Sequence, residues 1–68
     1  MVEKGIYRHF KGNIYEVLLI CKNSETLEDT VVYKDVSDET KIWARPVSMW
    51  NEFVEHDGKK IPRFEKIK

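Results

Sequence analysis

The longest strand-like stretch of this 68-residue chain is IYEVLLIC, residues 14–21. A half-buried strand alternates apolar and polar residues, whereas this stretch is β-branched, aromatic and apolar on both faces. Such a strand is either covered on both sides or bends so that each half buries a different face. Both alternatives predict a β-strand here.

Shorter strand patterns lie on either side of this stretch, at residues 6–10, 30–34 and 41–45. Gly12-Asn13 lies between two strand patterns and fits a two-residue hairpin whose first central residue has a positive φ. Polar residues at 22–29 and 35–40 predict loops. Pro46 ends the fourth strand because it has no N–H to donate to a ladder.

The C-terminal third carries two conflicting patterns. Apolar residues between 47 and 54 fit a helical face of about two turns. Asp57-Gly58 is instead a strong hairpin signal that requires strands on both sides. We therefore expect a helical turn at 46–51, a strand from Phe53 onwards and an edge strand at 62–67.

Many short strands with little helix predict an all-β domain, a small antiparallel barrel or strongly bent sheet. A chain of this length forms one domain, residues 1–68, with a small core. Hydrophobic residues make up 41% of the sequence and aromatic residues 12%, which is enough for such a core.

Several motifs resemble a bacterial family, domain of unknown function 1653. They are YRHFKGNIYEVL at residues 7–18, SET at 24–26, VVY at 31–33, WARPVSM at 43–49 and RF at 63–64. The resemblance implies an SH3-like β-barrel and no particular activity. The family pattern usually has His before Ser-Glu-Thr, where this chain has Asn23, and a Leu-Tyr-Gly-like turn after the third strand, where it has Val36-Ser37-Asp38.

The chain has no secretion or membrane signal. Cys21 is its only cysteine, so no internal disulfide can form, and a secreted domain of this size normally needs disulfides. No apolar run approaches the ~20 residues of a membrane span, and the N-terminus does not resemble a signal peptide. We therefore expect a cytoplasmic protein without membrane partners.

Charge is distributed unevenly although 12 basic and 12 acidic residues cancel. The balance is +2 over residues 1–23, −6 over residues 24–57 and +4 over residues 58–68. Basic ends that lie side by side would form a modest positive patch, and the alternative is an ordinary mixed surface.

The sequence gives no support for an enzyme, a metal site or a cofactor. His9, His56 and Cys21 have none of the usual metal-ligand spacings. Cys21 at the end of an apolar strand is typical of a small hydrophobic residue, and the three glycines are too scattered for a phosphate loop. Glu25 would serve as a general base only if burial raised its pKa.

The residues most suggestive of function are Trp43 and Arg45, which share one face of the fourth strand. We interpret that face as outward, with Tyr33 joining from the neighbouring strand and Ser24-Glu25-Thr26 at the rim. An aromatic ring beside a guanidinium suits a carboxylate or phosphate ligand. The prediction is a binding module for a peptide or small anionic ligand. The alternative is a surface ion pair between Arg45 and one of the acidic residues of 24–57.

Two further functions remain open. Lys59, Lys60, Arg63 and Lys66, with exposed aromatic residues, would bind single-stranded nucleic acid. The zero net charge argues against strong affinity for phosphates, and the aromatic residues are also needed to fill the core. The third possibility is an accessory domain that stabilises a protein partner.

Overall fold

The computed structural model describes residues 2–68; Met1, the first residue of the predicted domain, lies outside this range. Its elements are β1 Gly5–His9, β2 Ile14–Lys22, β3 Asp29–Asp35, β4 Asp38–Pro46, α1 Val47–Trp50, β5 Phe53–His56, β6 Lys59–Pro62 and β7 Phe64–Lys66. The all-β class is confirmed, as is the helical turn predicted at 46–51.

Five strands form one antiparallel sheet in the order β4-β3-β2-β1-β7, and β5 and β6 form a separate two-stranded sheet. β4 and β7 are the two edges, and they do not pair within residues 2–68. β7 has three residues and the β5–β6 hairpin pairs only with itself, so no strand joins the two edges. The sheet is therefore open, and the expected closure into a barrel is not observed.

A β-bulge at Leu18 explains the two-faced pattern of β2. Val17 pairs with Tyr33 and Ile20 pairs with Val31, so four residues of β2 lie opposite three of β3. The extra residue shifts the alternation by one, and Val17 and Ile20 both pack into the core. Of the two arrangements considered for this strand, the bend is the one found.

The C-terminal hairpin forms at the predicted turn. Asp57 and Gly58 have φ values of 54° and 77°, and a tight type I′ turn requires both to be positive. His56 pairs with Lys59 across this turn. The predicted edge strand at 62–67 is instead divided at Arg63, where the chain leaves β5 and begins to pair with β1.

Two predicted loops differ in length from the observed ones. The first hairpin has a longer connection than the Gly12-Asn13 turn predicted, with residues 10–13 between β1 and β2, although Gly12 does have a positive φ of 106°. The predicted loop at 35–40 is mostly strand, and only Val36-Ser37 separates β3 from β4. Asp35 pairs with Asp38 beside the turn, but the register shifts there and residues 39–41 have no partner on β3.

The core is small and largely aromatic. Its buried members are Val2, Tyr7, Val17, Val31, Tyr33, Trp50 and Phe64. The short helix α1 contributes Trp50, whose ring stacks on Phe64 with centroids 3.7 Å apart and an interplanar angle of 1°. This contact joins α1 to β7, from opposite edges of the sheet.

Candidate functional site

Trp43 and Arg45 lie on the core face of the sheet. Trp43 pairs with Tyr33 and Arg45 pairs with Val31, and residues directly opposite each other share a face. Both partners are buried, at 5% and 0% exposure, so the interpretation of this face as outward is wrong. Because β4 is an edge strand, Trp43 nevertheless remains 39% exposed.

A cluster of aromatic rings surrounds these two residues. Trp43 contacts Tyr33 and Tyr15 with ring centroids 5.8 and 5.6 Å apart, and Tyr15 contacts Phe64 at 5.9 Å. Most of these pairs are edge-to-face, an arrangement that aromatic quadrupoles favour. We call the group of Tyr15, Tyr33, Trp43, Arg45 and Phe64 the edge site.

Arg45 has no carboxylate partner among residues 2–68. Its Nε donates a hydrogen bond to the Tyr33 hydroxyl oxygen at 3.4 Å, and its Cζ lies 5.8 Å from the centroid of Phe64. No Asp or Glu oxygen in this part of the chain forms an ion pair with it. The surface ion pair considered as an alternative is therefore not observed, and the terminal Nη groups make no hydrogen bond within residues 2–68.

His9 borders the edge site, where it is partly buried and has several cations nearby. Its ring contacts Phe64 at 5.0 Å and Tyr15 at 6.3 Å. Burial lowers the pKa of His9, and the nearby cations Arg63, Lys11 and Arg45 lower it further. Its Nδ1 accepts a hydrogen bond from the Lys11 backbone N–H at 3.1 Å, which leaves the proton of the neutral ring on Nε2.

The surroundings of Tyr15, in the same site, disfavour the charged form of its hydroxyl. Burial raises the pKa of its hydroxyl, and the negative charge of Asp35 raises it further. The hydroxyl therefore stays neutral well above physiological pH. Tyr15 contributes an aromatic edge to the site, and Arg45 contributes the full charge.

Hydrogen bonds within the loop stabilise Ser24-Glu25-Thr26, which were predicted to lie at the rim of the binding site. The Asn23 side-chain oxygen accepts hydrogen bonds from the backbone N–H groups of Glu25 and Thr26, and the Thr26 hydroxyl oxygen accepts one from Glu28 N–H. Ser24, Glu25 and Thr26 are exposed. No hydrogen bond or ion pair in residues 2–68 joins the three to the edge site, so their part in binding stays a prediction.

The basic residues of the nucleic-acid alternative are divided between two sheets. Lys59 and Lys60 lie exposed on β6, whereas Lys66 lies on β7 of the larger sheet. Arg63 is held by Glu52, through a backbone hydrogen bond of 2.9 Å to its carbonyl and an ion pair of 3.8 Å. The four residues are therefore not one continuous stripe along a strand.

A second concave feature lies beside the edge site. This open cleft has a volume of about 250 Å³ and is lined by Arg8, His9, Phe10, Gly12, Ile61, Pro62 and Glu65. Its arginine is already paired, since Arg8 Nη2 lies 3.0 Å from Glu65 Oε1. The cleft thus offers less free charge than the edge site does.

Two general site types are absent from the part of the chain described. No group of three or more His, Cys, Asp or Glu side chains in residues 2–68 is placed to hold a metal ion. The same residues contain no helix with the length and apolar character needed to cross a membrane.

Sequence reasoning missed His9, Tyr15 and Phe64 as neighbours of Trp43 and Arg45. Tyr15 could have been identified from the sequence, because it lies two residues before Val17 and therefore on the same face of the strand. His9 and Phe64 become neighbours through the pairing of β1 with β7, from distant parts of the chain. No local pattern signals that pairing.

Fold and site together define a small all-β domain with an aromatic and arginine-containing site at a free sheet edge. The family model DUF1653, described as a protein of unknown function, matches residues 5–66. The chain therefore belongs to the DUF1653 family, as its motifs indicated.

A solved structure supports this membership. It is the crystal structure of a protein belonging to DUF1653 from Bordetella bronchiseptica, with a TM-score of 0.88 and 32% sequence identity. The match covers 97% of this chain and 87% of that chain. No curated protein matches the sequence.

Proposed function

We propose that this domain is a binding module that holds an anionic ligand, a peptide or a small molecule, at the edge site. Arg45 supplies the charge and Trp43 supplies a flat apolar surface. Tyr33 is too buried to contact a ligand broadly, and it positions the guanidinium through its hydroxyl. The observation that carries the proposal is the partly buried Arg45 without a carboxylate partner.

The free edge of the guanidinium fits an anion well. Because Nε is engaged with Tyr33, the two Nη groups remain to donate parallel hydrogen bonds to a carboxylate or phosphate. Arg63 and Lys11 add positive potential around the neighbouring His9. A partly desolvated guanidinium without a carboxylate partner in residues 2–68 gains more from an anion than a solvated surface arginine does.

Trp43 adds selectivity for a ligand with an apolar or planar group next to its charge. Its ring is held edge-on by Tyr15 and remains 39% exposed. Exposed tryptophan and arginine side chains are the residue types most enriched at energetically dominant contacts.

The other two functions have less support. The basic residues of the nucleic-acid alternative are dispersed, and Arg63 is already paired with Glu52. An accessory domain that stabilises a protein partner would not require the guanidinium that Arg45 presents at the edge site.

The test uses phenyl phosphate as the probe, because it combines a planar ring with a dianion. Affinity is measured by calorimetry for the wild-type domain, Arg45→Gln, Trp43→Phe and Arg8→Gln. We expect Arg45→Gln to weaken binding by about tenfold or more, since a charge-assisted hydrogen bond is lost. Arg8→Gln is the matched control and should bind normally.

Two outcomes would remove the proposal. In one, phenyl phosphate fails to bind the folded wild-type domain at millimolar concentration. In the other, Arg8→Gln abolishes binding while Arg45→Gln does not, which would place the anion in the cleft beside Glu65. Circular dichroism of each variant confirms that the fold is retained.

A further inference from the structure

The middle of β4 exposes apolar side chains at the sheet edge, although four of the nine residues of this strand are charged. Strand β4 ends the five-stranded sheet, and no strand among residues 2–68 pairs with its outer side. Ile42, Trp43 and Ala44 are all exposed, Ile42 at 55%. Natural edge strands are normally short, charged, bulged or covered, because an apolar edge is a template for pairing with another chain.

The ends of this apolar segment are marked clearly. Opposite Lys34-Asp35 the register of β4 shifts, and residues 39–41 have no partner on β3. Pro46 closes the other end, since it lacks an N–H. Regular strand geometry therefore runs over residues 42–46, a length that suits a peptide of about five residues.

Positive charge lies within the segment and immediately before it. Lys41 precedes it, with its Nζ 4.0 Å from Asp38, and Arg45 lies within it without a carboxylate partner in residues 2–68. Opposite charges facing each other across a sheet stabilise pairing, and like charges destabilise it. If two copies pair antiparallel about Ala44, the centre of this segment, Trp43 of each copy faces Arg45 of the other and no carboxylate does. An acidic strand supplies the carboxylate that Arg45 lacks within residues 2–68.

We propose, building on the proposed function, that the ligand is an extended acidic peptide that adds to the sheet as a strand beside β4. Its main chain pairs with residues 42–46. One acidic side chain faces Arg45, and an apolar side chain two residues along packs on Trp43. Main-chain pairing provides affinity, and the alternate side chains provide specificity.

The test uses the peptide acetyl-Thr-Glu-Thr-Ile-Thr-Glu-Thr-amide. Alternate N–H groups of a strand point to opposite edges, so methylating the nitrogens of both Glu residues and Ile blocks one edge only. Methylating the nitrogens of the two inner Thr residues blocks the other edge and leaves composition and charge unchanged. A peptide with Lys in place of both Glu residues tests the charge.

We expect one methylated peptide to lose about tenfold or more in affinity while the other binds normally. The Lys peptide should bind about tenfold more weakly than the Glu peptide. Amide exchange measured by NMR should slow within residues 42–45, at the N–H groups that point away from β3, when the Glu peptide is bound.

Three outcomes would overturn the inference while phenyl phosphate still binds. Both methylated peptides could bind as well as the parent peptide, or the Lys peptide could bind equally well. The free domain could also sediment as a dimer with protected β4 amides, which would assign the edge to a second copy. If neither phenyl phosphate nor any peptide binds, the proposed function fails together with the inference.

Discussion

The Nε of Arg45 donates a hydrogen bond to the hydroxyl oxygen of Tyr33 across 3.4 Å, between adjacent strands. Tyr33 is 5% exposed, so the hydroxyl is fixed by the packing of its own ring in the core. The bond holds the guanidinium over Phe64 and leaves its outer nitrogens free. The core thus orients a charged side chain at the sheet edge.

Replacing Tyr33 with Phe removes this orientation and little else. We expect a loss of about 0.5–1 kcal/mol in the free energy of unfolding, because the bond is long, and a several-fold rise in the Kd for phenyl phosphate. Tyr15→Phe is the matched control, since the Tyr15 hydroxyl makes no hydrogen bond within residues 2–68. Equal effects of the two variants on binding would contradict a positioning role for Tyr33.

Replacing Trp50 with Ala should unfold the domain. Trp50 is 2% exposed and stacks on Phe64 at 3.7 Å, and a buried Trp→Ala change costs about 3–5 kcal/mol. That loss is comparable to the whole stability of a domain this small. Met49→Ala on the same helix should cost little, since Met49 is 45% exposed. A folded Trp50→Ala variant, seen by circular dichroism, would show that α1 is not part of the core.

Gly5 should tolerate substitution less well than Gly12. Both have positive φ values, 144° and 106°, so an Ala side chain strains either position. At Gly5 the added Cβ would also meet the carbonyl oxygen of Lys68 at 2.5 Å, whereas nothing lies within 4 Å of it at Gly12. Thermal melts should therefore rank Gly5→Ala below Gly12→Ala. The reverse order would mean that the chain end does not pack against β1.

Stability should fall as the pH drops below neutrality, because of His9. Burial and neighbouring cations lower the pKa of His9 in the folded state from its ordinary value of 6.5. Below about pH 6.5 the unfolded chain binds the proton more readily, so the free energy of unfolding decreases until the folded pKa is passed. His9→Gln should remove this part of the pH dependence of the melting temperature. A His9→Gln profile parallel to that of the wild type between pH 7 and 5 would refute the assignment.

A separate loss of stability is expected in stronger acid. Hydrogen bonds from Ser37 lower the pKa of Asp35, and hydrogen bonds from Thr40 lower the pKa of Asp38, both from 3.8. The charged forms therefore favour folding above about pH 3.8, and their contribution disappears as the pH falls through the lowered folded values. Asp35→Asn should flatten the melting profile below pH 4 and leave the His9 region unchanged. An unchanged acid limb would show that these turn hydrogen bonds do not stabilise the fold.

Local sequence pattern predicted most strands, the helical turn and the Asp57-Gly58 hairpin, because these depend on neighbouring residues. It also placed Trp43 and Arg45 on one face of their strand. It could not show which face was buried, since that depends on the register of β4 against Tyr33. The bulge at Leu18 was equally hidden, because a bulge exists only relative to a partner strand.

The open sheet could not be predicted from local sequence for a similar reason. Alternation and turn residues define strands, but closure depends on whether the last strand reaches the first edge. Here Arg63 turns the chain so that β7 pairs with β1, and β4 is left free. The same topology brings Phe64 beneath Arg45, so the edge site could be predicted only in part.

The most direct test of the binding proposal is an NMR titration of the wild-type domain with phenyl phosphate, following side-chain as well as backbone N–H groups. The proposal predicts saturable shifts at the Trp43 indole N–H, the Arg45 Nε–H and the amides of residues 42–45, and the loss of these shifts in Arg45→Gln. Shifts confined to Arg8, Phe10 and Ile61, or no shifts at millimolar phenyl phosphate, would contradict it.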